Sequence, residues 1–247
     1  MSSPNPNTSR LSVTSYGMTD MGRVRKHNED NLLERPEIGL WAVADGMGGH
    51  AKGDMASQMI VDSLKRVHEG TTLTHYIDDI EDRILEVNKQ LIEMASSGKK
   101  QLTIGSTIVI LLTYGDYYVC IWAGDSRLYR LRDKELRQLS TDHSQVEMYV
   151  EQGLISREEA LSHPHGNMIT RAVGATGDLY LEMDIQKLAR HDRFLLCSDG
   201  LTKHISDLEL QDFLMKGTAE ECCKHLIETT LSRGAGDNVT AIVVDIE

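Results

Sequence analysis

The chain has 247 residues, 40% apolar and 26% charged, so it can bury a sizeable core and is neither low-complexity nor disordered throughout. Its 26 Lys and Arg against 38 Asp and Glu leave a net charge of −12, which disfavours general binding to nucleic acid. No apolar run approaches the roughly 20 residues of a membrane span, and the absence of any Cys-x-x-Cys pattern argues against a zinc site.

Residues 1–10 are polar, carry two of the four prolines and hold no apolar signal segment, so a disordered tail is expected there. Nothing after residue 10 resembles a linker or a repeat, and 11–247 reads as a single domain. Short apolar runs predict strands at 11–16, 31–34, 39–44, 104–113, 117–123, 127–132, 135–139, 179–187, 193–198 and 239–246. The spacing between residues 117 and 139 suggests antiparallel hairpin pairing. Apolar residues at helical spacing predict a helix over about 54–67 and a second through Ile77, Ile80, Ile84, Val87, Leu91 and Met94. A third is predicted over about 219–231. Capping boxes at Ser156/Glu159, Ser206/Glu209 and Thr218/Glu221 mark further helix starts. The polar segment 144–168 reads as a flap over a site. Helices group between blocks of strands rather than alternating with them, which argues for α+β layers with antiparallel sheets. Cys120, Cys197, Cys222 and Cys223 are expected to be free thiols, and a reducing cytoplasm is the simplest setting for them.

One pattern recurs along this frame. Apolar strands run into an aspartate beside a glycine at Asp45-Gly46, Gly124-Asp125 and Asp199-Gly200, and Gly236-Asp237 opens the last strand. Any one of these is an ordinary turn. Four of them, each at the edge of a buried strand, raise a metal site to about even odds. Like charges about 4 Å apart repel by roughly 4 kcal/mol at an effective dielectric of 20, so such a cluster protonates or binds cations. Oxygen-only ligands suit Mg²⁺ or Mn²⁺. Arg25 could clamp a phosphate, and Glu29 and Asp30 could hold metal-coordinated water. Asp125 with Arg127 reads more simply as a hairpin brace, and 22–30 as a solvated turn.

Eight segments then match a known pattern in order. They are Val24-Arg-Lys-His-Asn-Glu-Asp-Asn31, Val43-Ala-Asp-Gly-Met-Gly-Gly-His50, Gly105-Ser-Thr107, Ala123-Gly-Asp-Ser-Arg127, Thr141-Asp-His-Ser144, Ile169-Thr-Arg-Ala-Val-Gly174, Leu196-Cys-Ser-Asp-Gly-Leu201 and Gly236-Asp-Asn-Val-Thr240. In these the chain resembles the metal-dependent protein phosphatases, the type 2C serine/threonine class, and looks most like its bacterial branch.

The resemblance implies two packed antiparallel β-sheets flanked by helices on both sides, a four-layer α-β-β-α sandwich with the metal site at one edge. It implies a catalytic domain that hydrolyses phosphoserine and phosphothreonine in proteins. The reaction would be direct attack of a metal-bridging hydroxide on phosphorus, with two Mn²⁺ or Mg²⁺ ions and a third in some members. Carried over by motif, Asp45 would bridge two ions and the Gly46 carbonyl would bind one. Asp199 and Asp237 would complete the second, and Asp142 with Asp199 would hold the third. Arg25 would bind the substrate phosphate, and Glu29 and Asp30 would position water. Met47 stands where animal members commonly carry a histidine proposed as general acid, so the acid is unassigned. His50 should not inherit the role, and His143 is only a weak candidate.

The expected partners are phosphorylated proteins and a cognate bacterial Ser/Thr kinase, with no nucleic acid or membrane. The expected protein is a cytoplasmic monomer engaged in signal transduction. Two other readings stand beside this one: a catalytically silent phosphoprotein-binding relative, and a hydrolase of small phosphate esters.

Overall fold

The computed structural model describes residues 11–48, 51–97, 103–161, 163–164 and 168–247. The expected tail at 1–10, His50 and part of the expected flap lie outside them. In chain order the strands are β1 (Val13–Asp20), β2 (Asp30–Arg35), β3 (Leu40–Met47), β4 (Gly105–Ser106), β5 (Ile108–Tyr114), β6 (Tyr117–Ala123), β7 (Arg127–Arg132), β8 (Glu135–Gln138), β9 (Glu182–Lys187), β10 (Arg193–Cys197) and β11 (Val239–Ile246). The helices are α1 (Ala51–Leu64), α2 (Leu73–Ser96), α3 (Gln145–Glu151), α4 (Arg157–Leu161), α5 (Asp199–Thr202), α6 (Asp207–Leu214) and α7 (Ala219–Ser232).

The strands form two antiparallel sheets. One has the order β1-β11-β10-β7-β8, the other β2-β3-β5-β6-β9, with β4 paired to β3. Strand alternation sorts side chains into separate cores. Between the sheets lie Trp41, Val43, Val109 and Leu111 from one sheet and Leu128, Phe194, Leu196, Ile242 and Val244 from the other. The opposite face of the β3 sheet, with Ala42, Ile108, Ile110 and Val119, packs on Ile60 and Leu64 of α1 and Ile80, Ile84 and Leu91 of α2. The outer face of the β11 sheet, with Leu195, Ala241 and Val243, packs on Cys223, Leu226 and Ile227 of α7 and on Leu210 and Leu214 of α6. Helix, sheet, sheet and helix are the four expected layers.

The three capping boxes are present in the hydrogen bonding of α4, α6 and α7. The first helix begins and ends three residues earlier than its apolar spacing suggests. The expected strand 104–113 is broken at Thr107, whose hydroxyl is 2.7 Å from that of Ser126 and accepts from the Asp45 N–H. The antiparallel pairing expected between residues 117 and 139 is present in the β7–β8 hairpin, while β6 pairs with β5 before it and not with β7. β6 lies between β5 and β9, and β7 between β10 and β8. The chain crosses from one sheet to the other at Gly124-Asp125-Ser126, where Gly124 adopts φ +120 against Thr107.

All four cysteines are buried and free. Among the described residues no helix is long and apolar enough to cross a membrane.

Phe194 is fully buried between the sheets, edge-on to Tyr118 at 4.9 Å between ring centroids. Phe194→Ala is expected to cost about 3–5 kcal/mol of stability, read as a lower urea midpoint at unchanged slope.

Candidate active site

The site lies where strand ends from both sheets meet. Asp30 opens β2 directly opposite Asp45 near the end of β3. Its Oδ2 accepts two 2.7 Å hydrogen bonds, from the hydroxyls of Ser198 after β10 and Thr240 in β11. Asp199 begins α5 immediately after Ser198, and Asp237 precedes β11. Asn238 fastens the loop before β2. Its side-chain amide donates to the carbonyls of Met21 and His27, and its Oδ1 accepts from the Glu29 N–H at 2.9 Å. The turn at Asp45-Gly46 is equally constrained. The Gly46 N–H donates to the Glu29 carbonyl, and a Cβ at Gly46 would collide with the carbonyls of Gly53 and Glu29. Only glycine lets these segments approach so closely.

The structure thus brings together Arg25, Glu29, Asp30, Asp45, Gly46, Asp199 and Asp237. Arg25 is half exposed and forks onto Asp237, with Nε to Oδ1 at 2.8 Å and Nη2 to Oδ2 at 3.0 Å. Lys203 Nζ reaches Asp199 Oδ2 at 2.6 Å and Asp237 Oδ2 at 3.3 Å. Burial alone would raise the Asp237 carboxyl, but Arg25 and Lys203 hold it below its ordinary value.

Asp142 differs from its expected place. Arg127 grips its carboxylate with contacts of 2.7 to 3.1 Å, and Gln138 Nε2 adds a hydrogen bond at 3.1 Å. Its charge is therefore already compensated. Asp125 lies near enough to Asp45, Asp199 and Asp142 for their charges to act on one another. It is 6% exposed, and its Oδ1 is buried without a hydrogen-bond partner. The brace formed by Arg127 thus runs to Asp142 and not, as expected, to Asp125. Asp125, like Asp45 and Asp199, is an aspartate beside a glycine at the end of an apolar strand, and that pattern is its sequence signal. Lys203 had no such signal, because a lysine four residues after an aspartate reads as an ordinary helical pair.

His143 is locked into the framework. Its Nδ1 accepts from the Gly124 N–H at 3.0 Å, its Nε2 is 3.0 Å from Glu182, and its ring stacks on Trp122. Burial, reinforced by Arg171, holds its pKa below the ordinary value. This side chain belongs to the root of the 144–168 segment, which argues against its weak candidacy as a proton donor. Arg171 and Thr170 serve the same root. Arg171 donates to Glu182 at 2.7 Å, and the Thr170 N–H donates to the His143 carbonyl.

Among the described residues, no three Asp, Glu, His or Cys side chains already form a ready-made metal site. Arg25 and Lys203 instead sit on the oxygens of Asp199 and Asp237. The donor set nevertheless suits a hard cation. It is made of oxygens, and Oδ1 of Asp30, Asp125 and Asp199 are buried with no hydrogen-bond partner. Burial first, and neighbouring carboxylates second, push Asp30 and Asp125 up to about 7 and Asp45 well above its ordinary value. Divalent ions would relieve that repulsion.

These features define a buried acidic centre on a four-layer sandwich. The family model described as Protein phosphatase 2C matches residues 23–234, and the chain belongs to that family as a protein-serine/threonine phosphatase of bacterial type. It is 37% identical to the serine/threonine phosphatase stp of Listeria monocytogenes serovar 1/2a, over 92% of this chain and 93% of that protein. Among solved structures it is similar to PppA, "a key regulatory component of T6SS in Pseudomonas aeruginosa", at 41% identity and a TM-score of 0.89, covering 95% of this chain and 98% of that one. It is also similar to the catalytic domain of PstP in complex with two manganese ions, at 32% identity and a TM-score of 0.85, covering 96% and 99%.

A carboxyl whose folded pKa exceeds its unfolded value binds its proton more tightly when folded. Asp30 and Asp125 therefore cost stability progressively as the pH rises from about 4 to about 7. In chelator, the melting temperature is expected to fall as the pH is raised from about 5 to about 7.5, with a shallower fall in Asp125→Asn. Mn²⁺ about a hundredfold above its Kd at the higher pH should restore roughly 5–10 °C per bound ion, measured by differential scanning calorimetry.

Proposed function

We propose that residues 11–247 act as one catalytic domain that hydrolyses phosphoserine and phosphothreonine in proteins, using two Mn²⁺ or Mg²⁺ ions. The observation that carries this reading is the set of buried, unpartnered aspartate oxygens at the meeting of the two sheets, with Arg25 at their rim. Asp45, the Gly46 carbonyl, Asp199 and Asp237 would hold the ions. When bound, such ions act as Lewis acids toward phosphoryl oxygens and acidify coordinated water.

The protein's own groups do the rest. Arg25, half exposed, turns from Asp237 to the substrate phosphate, whose oxygens suit its planar fork. Asp30 keeps one oxygen tied to Ser198 and Thr240, which leaves Oδ1 to accept a proton from the attacking water. Glu29, on the same clamped loop, helps orient that water. Asp142 fixes Arg127, and through it the strand that follows Asp125. Met47 has no proton to give, so the leaving alkoxide takes one from solvent in the site.

The substrates would be products of a bacterial Ser/Thr kinase in the cytoplasm, met by a monomeric phosphatase. The likeness to PppA, at 41% identity over nearly the full length of both chains, supports a setting in the regulation of T6SS.

The test is phosphate release from a phosphothreonine peptide, with and without Mn²⁺. Wild type is expected to turn over only with the ion, and Asp199→Asn to lose at least about a hundredfold in kcat. Turnover by metal-free protein would sink the metal reading. No turnover by a folded, metal-loaded wild type would favour the phosphoprotein-binding alternative. Faster turnover on small phosphate esters than on peptides would move the substrate class.

Arg25→Ala should lower kcat/KM on the peptide by about 10–100-fold, the worth of one or two charge-assisted hydrogen bonds. Stopped-assay phosphate release across substrate concentrations measures it.

A further inference from the structure

Between β1 and β2 the chain runs Gly22-Arg-Val-Arg-Lys-His-Asn-Glu29, and Arg23, Arg25, Lys26 and His27 are all exposed. The run is basic in a chain whose net charge is −12. Arg25 is engaged with Asp237. Arg23 and Lys26 have no carboxylate partner among the described residues. Exposed cations on a loop are ordinary by themselves. This loop is set apart by its rigidity and its place.

Its backbone is pinned at several points. The Gly22 N–H donates to Asp20 Oδ1 at 2.8 Å, and the Arg23 N–H to the Ala235 carbonyl at 2.9 Å. Asn238 donates to the carbonyls of Met21 and His27, and Asn28 Nδ2 donates to Thr19 Oγ1 at 2.8 Å. Gly22 adopts φ +78, and a Cβ there would collide with the Asp237 carbonyl. The backbone that carries the cations is therefore ordered before any ligand arrives, which reduces the entropy lost on binding.

The place follows from Arg25. Neighbouring Cα atoms are about 3.8 Å apart, so the Cα of Lys26 lies one step, and that of Arg23 at most about 7.6 Å, from that of Arg25. An extended peptide advances about 3.3–3.6 Å per residue. The same span covers two or three residues beside a phosphoresidue whose phosphate Arg25 holds. Acidic side chains at those positions would be attracted by Arg23 and Lys26, and basic ones repelled. The charge of the chain as a whole repels an acidic phosphoprotein, and a basic rim at the mouth of the site offsets that repulsion locally. A nucleic acid or an anionic membrane would meet the same overall charge over a wider contact, which favours the peptide.

We propose that Arg23 and Lys26 read acidic residues flanking the phosphoserine or phosphothreonine, so that the preferred substrates are acidic phosphopeptide segments. This rests on the phosphatase reading given under Proposed function and names the substrate sequences that the same site selects.

The experiment compares kcat/KM of the Mn²⁺-loaded protein on three phosphothreonine peptides that differ only in the three residues on each side, all Glu, all Gln or all Lys. Wild type is expected to favour the Glu over the Gln peptide by about 3–20-fold, the worth of two exposed ion pairs, and to disfavour the Lys peptide. The preference should shrink as salt is added. Arg23→Gln with Lys26→Gln should bring the Glu-to-Gln ratio close to one, and Arg23→Glu with Lys26→Glu should turn the order toward the Lys peptide. The readout is a ratio within one preparation, so a loss of folded protein does not move it. Equal turnover of the Glu and Gln peptides by wild type overturns the proposal, as does a preference for Glu that survives in either double variant. Equal turnover joined to salt-sensitive binding of phosphatidylserine vesicles would overturn it in favour of a membrane surface. A folded, metal-loaded wild type that turns over none of the three peptides overturns the phosphatase reading itself, and this inference with it, so the two failures are distinguishable.

Discussion

The geometry of the site depends on one carboxylate. Asp30 stands on the β2 edge of one sheet and accepts hydrogen bonds from Ser198 and Thr240 of the other, across 168 and 210 residues of sequence. Buried carboxylates are costly unless they are hydrogen-bonded or paired, and Asp30 satisfies that demand only if the sheets meet in this one alignment. The alignment sets Asp45, Asp199 and Asp237 around a common space. A residue expected to position water therefore also holds the halves of the pocket in register.

Around that tether the site is built from strand ends and close backbone crossings rather than from flexible side chains. Gly46 lies against the backbone of Gly53 and Glu29, and Gly200 against the carbonyl of Asn238. Asn238 holds the Arg25-bearing loop through its side chain while its backbone carbonyl packs against the helix turn that carries Asp199. Such framing concentrates like charge. The protein manages the repulsion in two ways: by raising the proton affinity of Asp30, Asp45 and Asp125, and by bringing Arg25 and Lys203 onto Asp199 and Asp237. Both devices leave the oxygens available to a hard cation that competes with protons and side-chain cations.

Much of this was legible in the sequence because it rests on local patterns. β6, β7 and β11 begin and end where their apolar runs do, and the capping boxes mark their helices. The aspartates at strand ends were visible as a repeated signature. What escaped was non-local. No local pattern says that β6 and β7 belong to different sheets, since the cause is the backbone of Gly124 against Thr107. The grip of Arg127 on Asp142, across the β7–β8 hairpin, likewise left no local signal. The four-residue α5 is too short for helical periodicity to register, and with it went Lys203.

The pairing of β11 between β1 and β10 has a consequence for how the protein comes into being. The first strand of the chain finds its partner only in the last, and Asp237 is carried on the approach to that last strand. Closing so long a loop is entropically costly and kinetically slow. A nascent chain on the ribosome can therefore assemble the α1–α2 layer on its sheet while the acidic pocket is still missing one wall. Because Asp237 leads into β11, the wall of the pocket that it supplies is in place only when residues 239–246 lie between β1 and β10.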